Sequence, residues 1–311
     1  LAEALTLRQD QDRRTGAPVR EGCKTMAGPT VYLNGRFVDY DEAKIPVEDR
    51  GMQFADGVYE VVRYYGGRPF RMAQHLERLG RSAAGLDLEL PPLDEIERAM
   101  NSLVERAGLS EATVYLQITR GAAPRQHGLV SGVAPTVIAI PRPATSPRPR
   151  PTLKVITVSD DRWARCYLKT TALLPNAMAR ERARRLGCDD AIFVRDGFLM
   201  EASSSNVFVV QGGRLFTPTL TNYILAGVTR GAILDLAAAS GIPVSEEPVS
   251  VDRVYQADEV FISGTNSELG PVVEVDGRAI GDRRPGPIFE TLLAAFDVAV
   301  GLPTPVTAGS A

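Results

Sequence analysis

The chain has 311 residues, 44% hydrophobic and 23% charged, an ordinary globular composition with room for two domains. A formal net charge of −3 without any Lys/Arg block speaks against a nucleic-acid surface, and no apolar run reaches the ~18 residues of a membrane span. Cys23, Cys166 and Cys188 are scattered and lack ligand spacing with each other or with His75 and His127, so neither a disulfide framework nor a metal site is expected, and the expected location is the cytoplasm.

Residues 1–29 are read as an extension outside the folded part, with Met26 as the expected functional start. From Val31 the pattern turns strand-like, and Asn34-Gly35 between apolar runs signals a hairpin. A second hairpin covers Asp56 to Gly67 and carries Tyr59. Two helices follow, one opening at His75-Leu76-Glu77-Arg78-Leu79 and one from about Leu93 to Ala107, with Ile96, Met100, Leu103 and Val104 at helical spacing. Alternation from Val114 to Thr119 predicts a half-buried strand, which leads into a cationic loop, Arg120 to Gly128. After a strand from Thr136 to Ile140 come five prolines in the eleven residues from Pro141 to Pro151, a composition that excludes a helix or central strand and suits an extended linker.

The expected division is therefore a smaller α/β domain over 30–141, a linker over 142–151, a larger domain over 152–300 and a tail over 301–311. In the second half, strands are expected at Leu153–Val158, Ala191–Val194, Phe198–Met200, Val207–Val210, Arg214–Phe216 and Glu259–Ser263. Helices are expected at 176–186, closed by Gly187, from Ile224 to Ser240, and at 288–300.

The stretch from Asp161 to Ala179 reads as strand, turn and helix, and it sets Lys169 between Trp163 and Tyr167 on one side and Ala172, Leu173 and Leu174 on the other. A lysine there either snorkels to water or is deliberately enclosed. Glu201 follows in the turn Met200-Glu201-Ala202-Ser203-Ser204-Ser205. A lysine and a carboxylate so placed suit pyridoxal 5′-phosphate (PLP), which needs a Schiff-base lysine and an acidic partner for its ring nitrogen. A phosphate would find free N–H groups at Gly227-Val228-Thr229 and Gly264-Thr265, with Arg78 as the cation. Arg125 and His127, two residues apart, fit one face of an extended segment that grips a carboxylate. Each piece alone has an ordinary alternative: a helix cap, or solvated loop residues.

In order along residues 30–290 stand E-D-R-G-M-Q-F-A-D-G-V-Y-E-V-V, H-L-E-R-L, Q-I-T-R-G-A-A-P-R-Q-H, D-R-W-A-R-C-Y-L-K-T-T-A-L-L-P-N, M-E-A-S-S-S-N-V-F, I-L-A-G-V-T-R and S-G-T-N-S-E. Together they resemble the class IV aminotransferases, the PLP fold-type IV family, and within it the D-amino acid aminotransferases.

The resemblance implies an α+β fold of two α/β domains joined by the Pro-rich linker, with the cofactor in the cleft, and transamination between a D-amino acid and a 2-oxo acid, such as D-alanine and 2-oxoglutarate. Lys169 would be the Schiff-base and proton-transfer residue, and Glu201 would pair with the ring nitrogen. Arg78, Val228, Thr229, Gly264 and Thr265 would hold the phosphate, Ser203, Ser204 and Ser205 would support the cofactor, and Leu225 would lie against its ring. Tyr59, Arg125 and His127 would trap the substrate carboxylate, with residues mixed across a homodimer. The sequence departs from the family pattern where Gly264 replaces a frequent serine, Ala202 a glycine and Met52 a tyrosine. Rival readings are a branched-chain L-amino acid aminotransferase, an aminodeoxychorismate lyase of the same fold, and a cofactor-carrying binding protein.

Overall fold

The computed structural model describes residues 30–302; the expected extension over 1–29 and the tail from residue 303 onward lie outside the described residues. The first half runs β1 (Thr30–Leu33), β2 (Arg36–Asp39), α1 (Arg50–Phe54), β3 (Gly57–Tyr65), β4 (Arg68–Pro69), α2 (Met72–Ala84), α3 (Leu93–Arg106), β5 (Ala112–Thr119) and β6 (Thr136–Pro143). Its strands form one sheet in the order β2-β1-β6-β5-β3-β4. Asn34 and Gly35 turn the first hairpin with positive φ, which asparagine and glycine tolerate best. Alternation then decides the packing. Val114, Leu116 and Ile118 of β5 and Val58 and Val62 of β3 face Leu79 of α2 and Met100 and Leu103 of α3 in one core.

The second half runs β7 (Leu153–Ser159), α4 (Leu174–Arg185), β8 (Asp190–Arg195), β9 (Phe198–Ala202), β10 (Asn206–Gln211), β11 (Arg214–Thr217), α5 (Val228–Ala239), β12 (Val244–Glu246), α6 (Val251–Tyr255), β13 (Glu259–Gly264), β14 (Glu268–Val275), β15 (Arg278–Ala279) and α7 (Pro287–Val300). These strands build a nine-stranded sheet in the order β12-β11-β10-β13-β14-β7-β8-β9, with β15 beside β14. It is mixed: β7 pairs parallel with both β14 and β8, whereas β10, β13 and β14 pair antiparallel. Period-two alternation splits its buried residues between two cores. Val207, Val209, Val260 and Ile262 pack with Val254 of α6, while Phe208, Val210 and Phe261 pack with Ile233 of α5 and Phe289 and Phe296 of α7. The architecture is the α+β arrangement expected for fold type IV.

Several local expectations are corrected. The segment around Lys169 is a loop pinned to β3 rather than a strand, because it meets β3 through a single bridge, Val58 to Thr170, and gives the Lys169 N–H to Ser82 of α2 instead of continuing a ladder. The helix after Ile224 begins only at Val228, since Leu225 and Ala226 give their backbone to neighbouring side chains. α2 starts at Met72, ahead of His75. β6 runs through Pro141 and Pro143 into the expected linker. Those prolines are tolerated there because the pairing with β1 involves only Ile138 and Ala139, leaving the later residues an open edge on that side. β14 stands where no strand was expected, and it takes in Gly270-Pro271. Gly270 is needed all the same, because a Cβ there would stand 2.8 Å from Leu153 Cδ1.

Polar contacts tie the two sheets together. Tyr65 of β3 donates from its hydroxyl to Glu268 Oε1 of β14 at 2.8 Å. Arg148 donates to Glu268 Oε2 at 3.0 Å and also to Asp297 of α7, and Arg150 Nε donates to the Leu269 carbonyl at 2.7 Å. The proline-rich stretch thus contributes half-buried Arg148 and buried Arg150 to the polar group around Glu268, which Tyr65 of β3 joins.

Candidate active site

Where the two sheets meet lies a cavity of about 400 Å³, within the range of small-molecule sites. Lys169 enters it from the loop between β7 and α4. The loop is held from both sides. Lys169 N–H donates to Ser82 Oγ of α2 at 3.0 Å, and the Lys169 carbonyl accepts from Tyr59 N–H of β3 at 3.0 Å. Thr171 N–H donates to the Gly57 carbonyl at 3.0 Å. The Lys169 ammonium sits 4.1 Å from the centroid of the Tyr59 ring, a cation–π contact that orients it without consuming it in an ion pair.

Glu201 stands on β9, 8% exposed, on the cavity wall. Its Oε1 accepts from Arg162 Nη1 and its Oε2 from Leu225 N–H at 3.0 Å. A carboxylate has about four acceptor positions, so it can still take another N–H from the cavity. Burial pushes the Glu201 carboxyl upward, with Arg162 and the Leu225 N–H pulling the other way. Arg162 is itself fixed in a fork. Nε and Nη2 donate to Asp160 at 2.8 and 3.0 Å, Nη2 also donates to the Tyr223 carbonyl at 2.9 Å, and the guanidinium lies 4.1 Å from the Phe193 ring centroid.

The phosphate candidates line the same cavity. α5 begins at Val228 after Gly227, and no side chain caps it, so its first N–H groups and dipole favour an anion. Gly227 is demanded locally: a Cβ would lie 2.1 Å from Asn206 Oδ1, whose amide Nδ2 donates to the Leu225 carbonyl at 2.9 Å. Ser263 Oγ is buried with no partner among the described residues, beside Gly264 and Thr265. Ser205 and Ser267 hydroxyls are 3.2 Å apart.

Arg78 reaches the wall from α2 and is gripped by Glu60 of β3 through Nε at 2.7 Å and Nη2 at 2.8 Å, with Nη1 donating to the Ala226 carbonyl at 3.0 Å. Burial would raise the Glu60 carboxyl, but Arg78 and His75 Nδ1, 2.8 Å away, outweigh it and hold it at about 2.

Every residue expected to touch the cofactor therefore lines one cavity: Lys169, Glu201, Arg78, Ser203, Ser204, Ser205, Leu225, Val228, Thr229, Gly264 and Thr265. Tyr59 lines it too. Arg125 and His127 do not; they are exposed on the loop after β5, stacked around Phe54. Sequence reading missed Arg162, Asp160 and Asn206. Asp160-Asp161-Arg162 held the only signal, since residues two apart on extended backbone share a face and a buried arginine needs an acid.

The Amino-transferase class IV family model matches residues 57–275. The D-alanine aminotransferase of Bacillus licheniformis is 38% identical over 270 residues, spanning 86% of this chain and 95% of the relative. That of Listeria innocua is 40% identical over 269 residues, spanning 84% and 93%. Among solved structures, the branched-chain amino acid aminotransferase from Escherichia coli superposes with a TM-score of 0.82 at 29% identity, over 91% of this chain and 97% of that one. A second branched-chain amino acid aminotransferase, the T.th. enzyme solved with pyridoxamine 5′-phosphate, gives 0.82 at 27%, over 88% and 95%. With this match over most of its length, and with a lysine and a buried glutamate lining one cavity, the chain belongs to the class IV aminotransferases.

Proposed function

We propose that the chain is a PLP-dependent transaminase of D-amino acids, acting as a homodimer. The observation that carries the cofactor assignment is that Lys169 and Glu201 line one cavity that also holds an uncapped helix start. Lys169 would attach the cofactor. Val228, Thr229, Ser263, Thr265 and Arg78 would hold its phosphate, and Glu201 would keep a proton on its ring nitrogen. The chemistry so supplied is an electron sink that acidifies the Cα–H of a bound amino acid.

The chain's own residues do the rest. Lys169 Nζ, as the neutral amine, takes the proton from the substrate Cα and becomes the ammonium, which the Tyr59 ring, 4.1 Å away, is placed to stabilise. Arg162 holds the Glu201 carboxylate in place while the reaction changes the charge in front of it. Arg125 and His127 bind the substrate carboxylate. Because neither lines the cavity of its own chain, each would serve the cavity of a second copy. Support for D-amino acids comes from the D-alanine aminotransferases it is similar to and from this Arg–His pair.

A second reading, transamination of branched-chain L-amino acids, draws on the solved structures it superposes with. One experiment separates the two: the visible absorbance of the PLP-loaded protein on adding D-alanine, L-alanine or L-leucine without a 2-oxo acid acceptor. Conversion to the pyridoxamine band by D-alanine alone is expected, with no conversion in Lys169→Ala. Conversion by the L-amino acids alone would transfer the assignment to the branched-chain reading. No conversion by any of them would favour the lyase, tested as pyruvate release without an acceptor.

A further inference from the structure

Arg125 and His127 are exposed, and among the described residues neither side chain makes a hydrogen bond or an ion pair. Both instead pack on one ring. The Arg125 guanidinium carbon lies 4.5 Å from the Phe54 centroid, and the His127 ring meets Phe54 edge-on with centroids 5.9 Å apart. Phe54 closes α1, and the Arg50 guanidinium carbon is 4.6 Å from its centroid.

Arg50 also secures the loop backbone between the two residues, donating from Nη1 to the Gln126 carbonyl at 2.9 Å. Its Nε donates to Asp56 at 2.8 Å, and Asp56 takes a second bond from Arg120 Nε at 2.8 Å. The loop root is fastened as well, by Arg50 N–H to the Gly121 carbonyl at 2.9 Å and by a bridge between Asp49 and Ala122.

From this arrangement we infer that Phe54 is a positioning residue for substrate selection, the platform that holds Arg125 and His127 as a pair aimed at a carboxylate. The inference rests on the carboxylate-binding role proposed above for those two residues. The physical reason lies in what an aromatic face does to a cation. A carboxylate partner would consume the N–H fork of Arg125 and compete with an incoming amino acid. A ring attracts the guanidinium through its quadrupole, fixes its plane, and leaves all five N–H groups available. The same ring sets the His127 imidazole at a fixed angle beside it. Arg50 and Asp56 keep the platform and the loop in register, so the spacing of the trap does not depend on the loop's own stiffness.

The test uses the PLP-loaded full chain and steady-state kinetics with D-alanine and 2-oxoglutarate. Phe54→Leu is expected to raise KM for D-alanine about tenfold with kcat within about twofold, since it weakens binding of the carboxylate and leaves proton transfer untouched. Phe54→Tyr, which keeps the π face, should restore the wild-type KM. PLP occupancy and thermal midpoint should stay at wild-type values in both; if Leu lowers the midpoint, Phe54→Met, unbranched and without a π face, gives the same reading. In a double mutant with Arg125→Ala the Phe54 effect should shrink to what it exerts through His127 alone, because the platform then has only one residue left to position. An unchanged KM in Phe54→Leu beside a raised KM in Arg125→Ala would overturn the inference alone, as would a full additional penalty in the double mutant. An unchanged KM in Arg125→Ala would instead overturn the trap itself.

Discussion

Glu201 and Arg125 are both charged groups assigned to one reaction, and the molecule holds them in opposite ways. Glu201 is buried on a strand and locked by Arg162, which is locked in turn by Asp160 and backed by Phe193. Arg125 is exposed on a loop and rests on a single aromatic ring. Under the proposed function, the difference follows from what each group would meet. A cofactor stays, so its partner is satisfied once by a fixed network in a low-dielectric wall. A substrate carboxylate comes and goes, so its partner must keep its donors free and tolerate water.

The contrast predicts where damage will be greatest. Arg162→Met removes the cation from a buried group of two carboxylates, and breaking such a pair from one side costs on the order of 3–5 kcal/mol. We expect a lowered thermal midpoint and PLP loss on dialysis. Arg125→Ala, by comparison, should leave both measurements at wild-type values. Equal thermal midpoints for the two variants would remove the distinction between locked wall and open loop.

A second handle is pH. Glu60 is held at about 2 against burial, by Arg78 and His75. Because its folded value is depressed below an ordinary glutamate, its contribution is fully present above the unfolded value near 4.5 and is lost as pH falls toward 2. The contribution at neutral pH is on the order of 3 kcal/mol. Glu60→Gln should therefore be less stable than wild type at pH 7, with the gap in thermal midpoint narrowing steadily below pH 4.5. A gap that does not change with pH would show that shape, and not charge, anchors Arg78.

Legibility in the sequence divides along the same line. Lys169, Glu201 and the Gly227-Val228-Thr229 helix start were readable because each is a local oddity: a lysine among apolar residues, an acid before a serine run, a glycine opening an apolar helix. Arg162 was not readable as Glu201's partner, since 39 residues separate them and only the pairing of β7 with β8 and β8 with β9 brings them together. Asn206 was missed for a related reason: its job is to occupy the space that makes Gly227 obligatory. Phe54 drew no reading of its own from the sequence, because a residue proposed to act by presenting a ring leaves no chemical trace there. The loop character of Lys169's segment was likewise hidden, as its hydrogen bonds go to α2 and β3, more than a hundred residues upstream in the case of Tyr59 and Gly57.

The smallest expected effect concerns Gly264, where family relatives often carry serine. Its φ is not left-handed, so a side chain meets no backbone strain there. A Cβ would stand 3.0 Å from the Ser205 and Ser267 hydroxyls and 3.2 Å from the Ser204 carbonyl. The hydroxyls can rotate away; the carbonyl cannot, and must give by a few tenths of an ångström. Against that crowding stands one more hydroxyl near the phosphate candidates, and a hydrogen bond to a charged group is worth about 1.5–3 kcal/mol when well made. The bond should prevail narrowly, so Gly264→Ser is expected to tighten PLP binding no more than about fivefold, read by absorbance titration of the cofactor-free protein. Weaker binding would mean that the Ser204 carbonyl does not yield, and that this wall is as rigid at its edge as it is at Glu201.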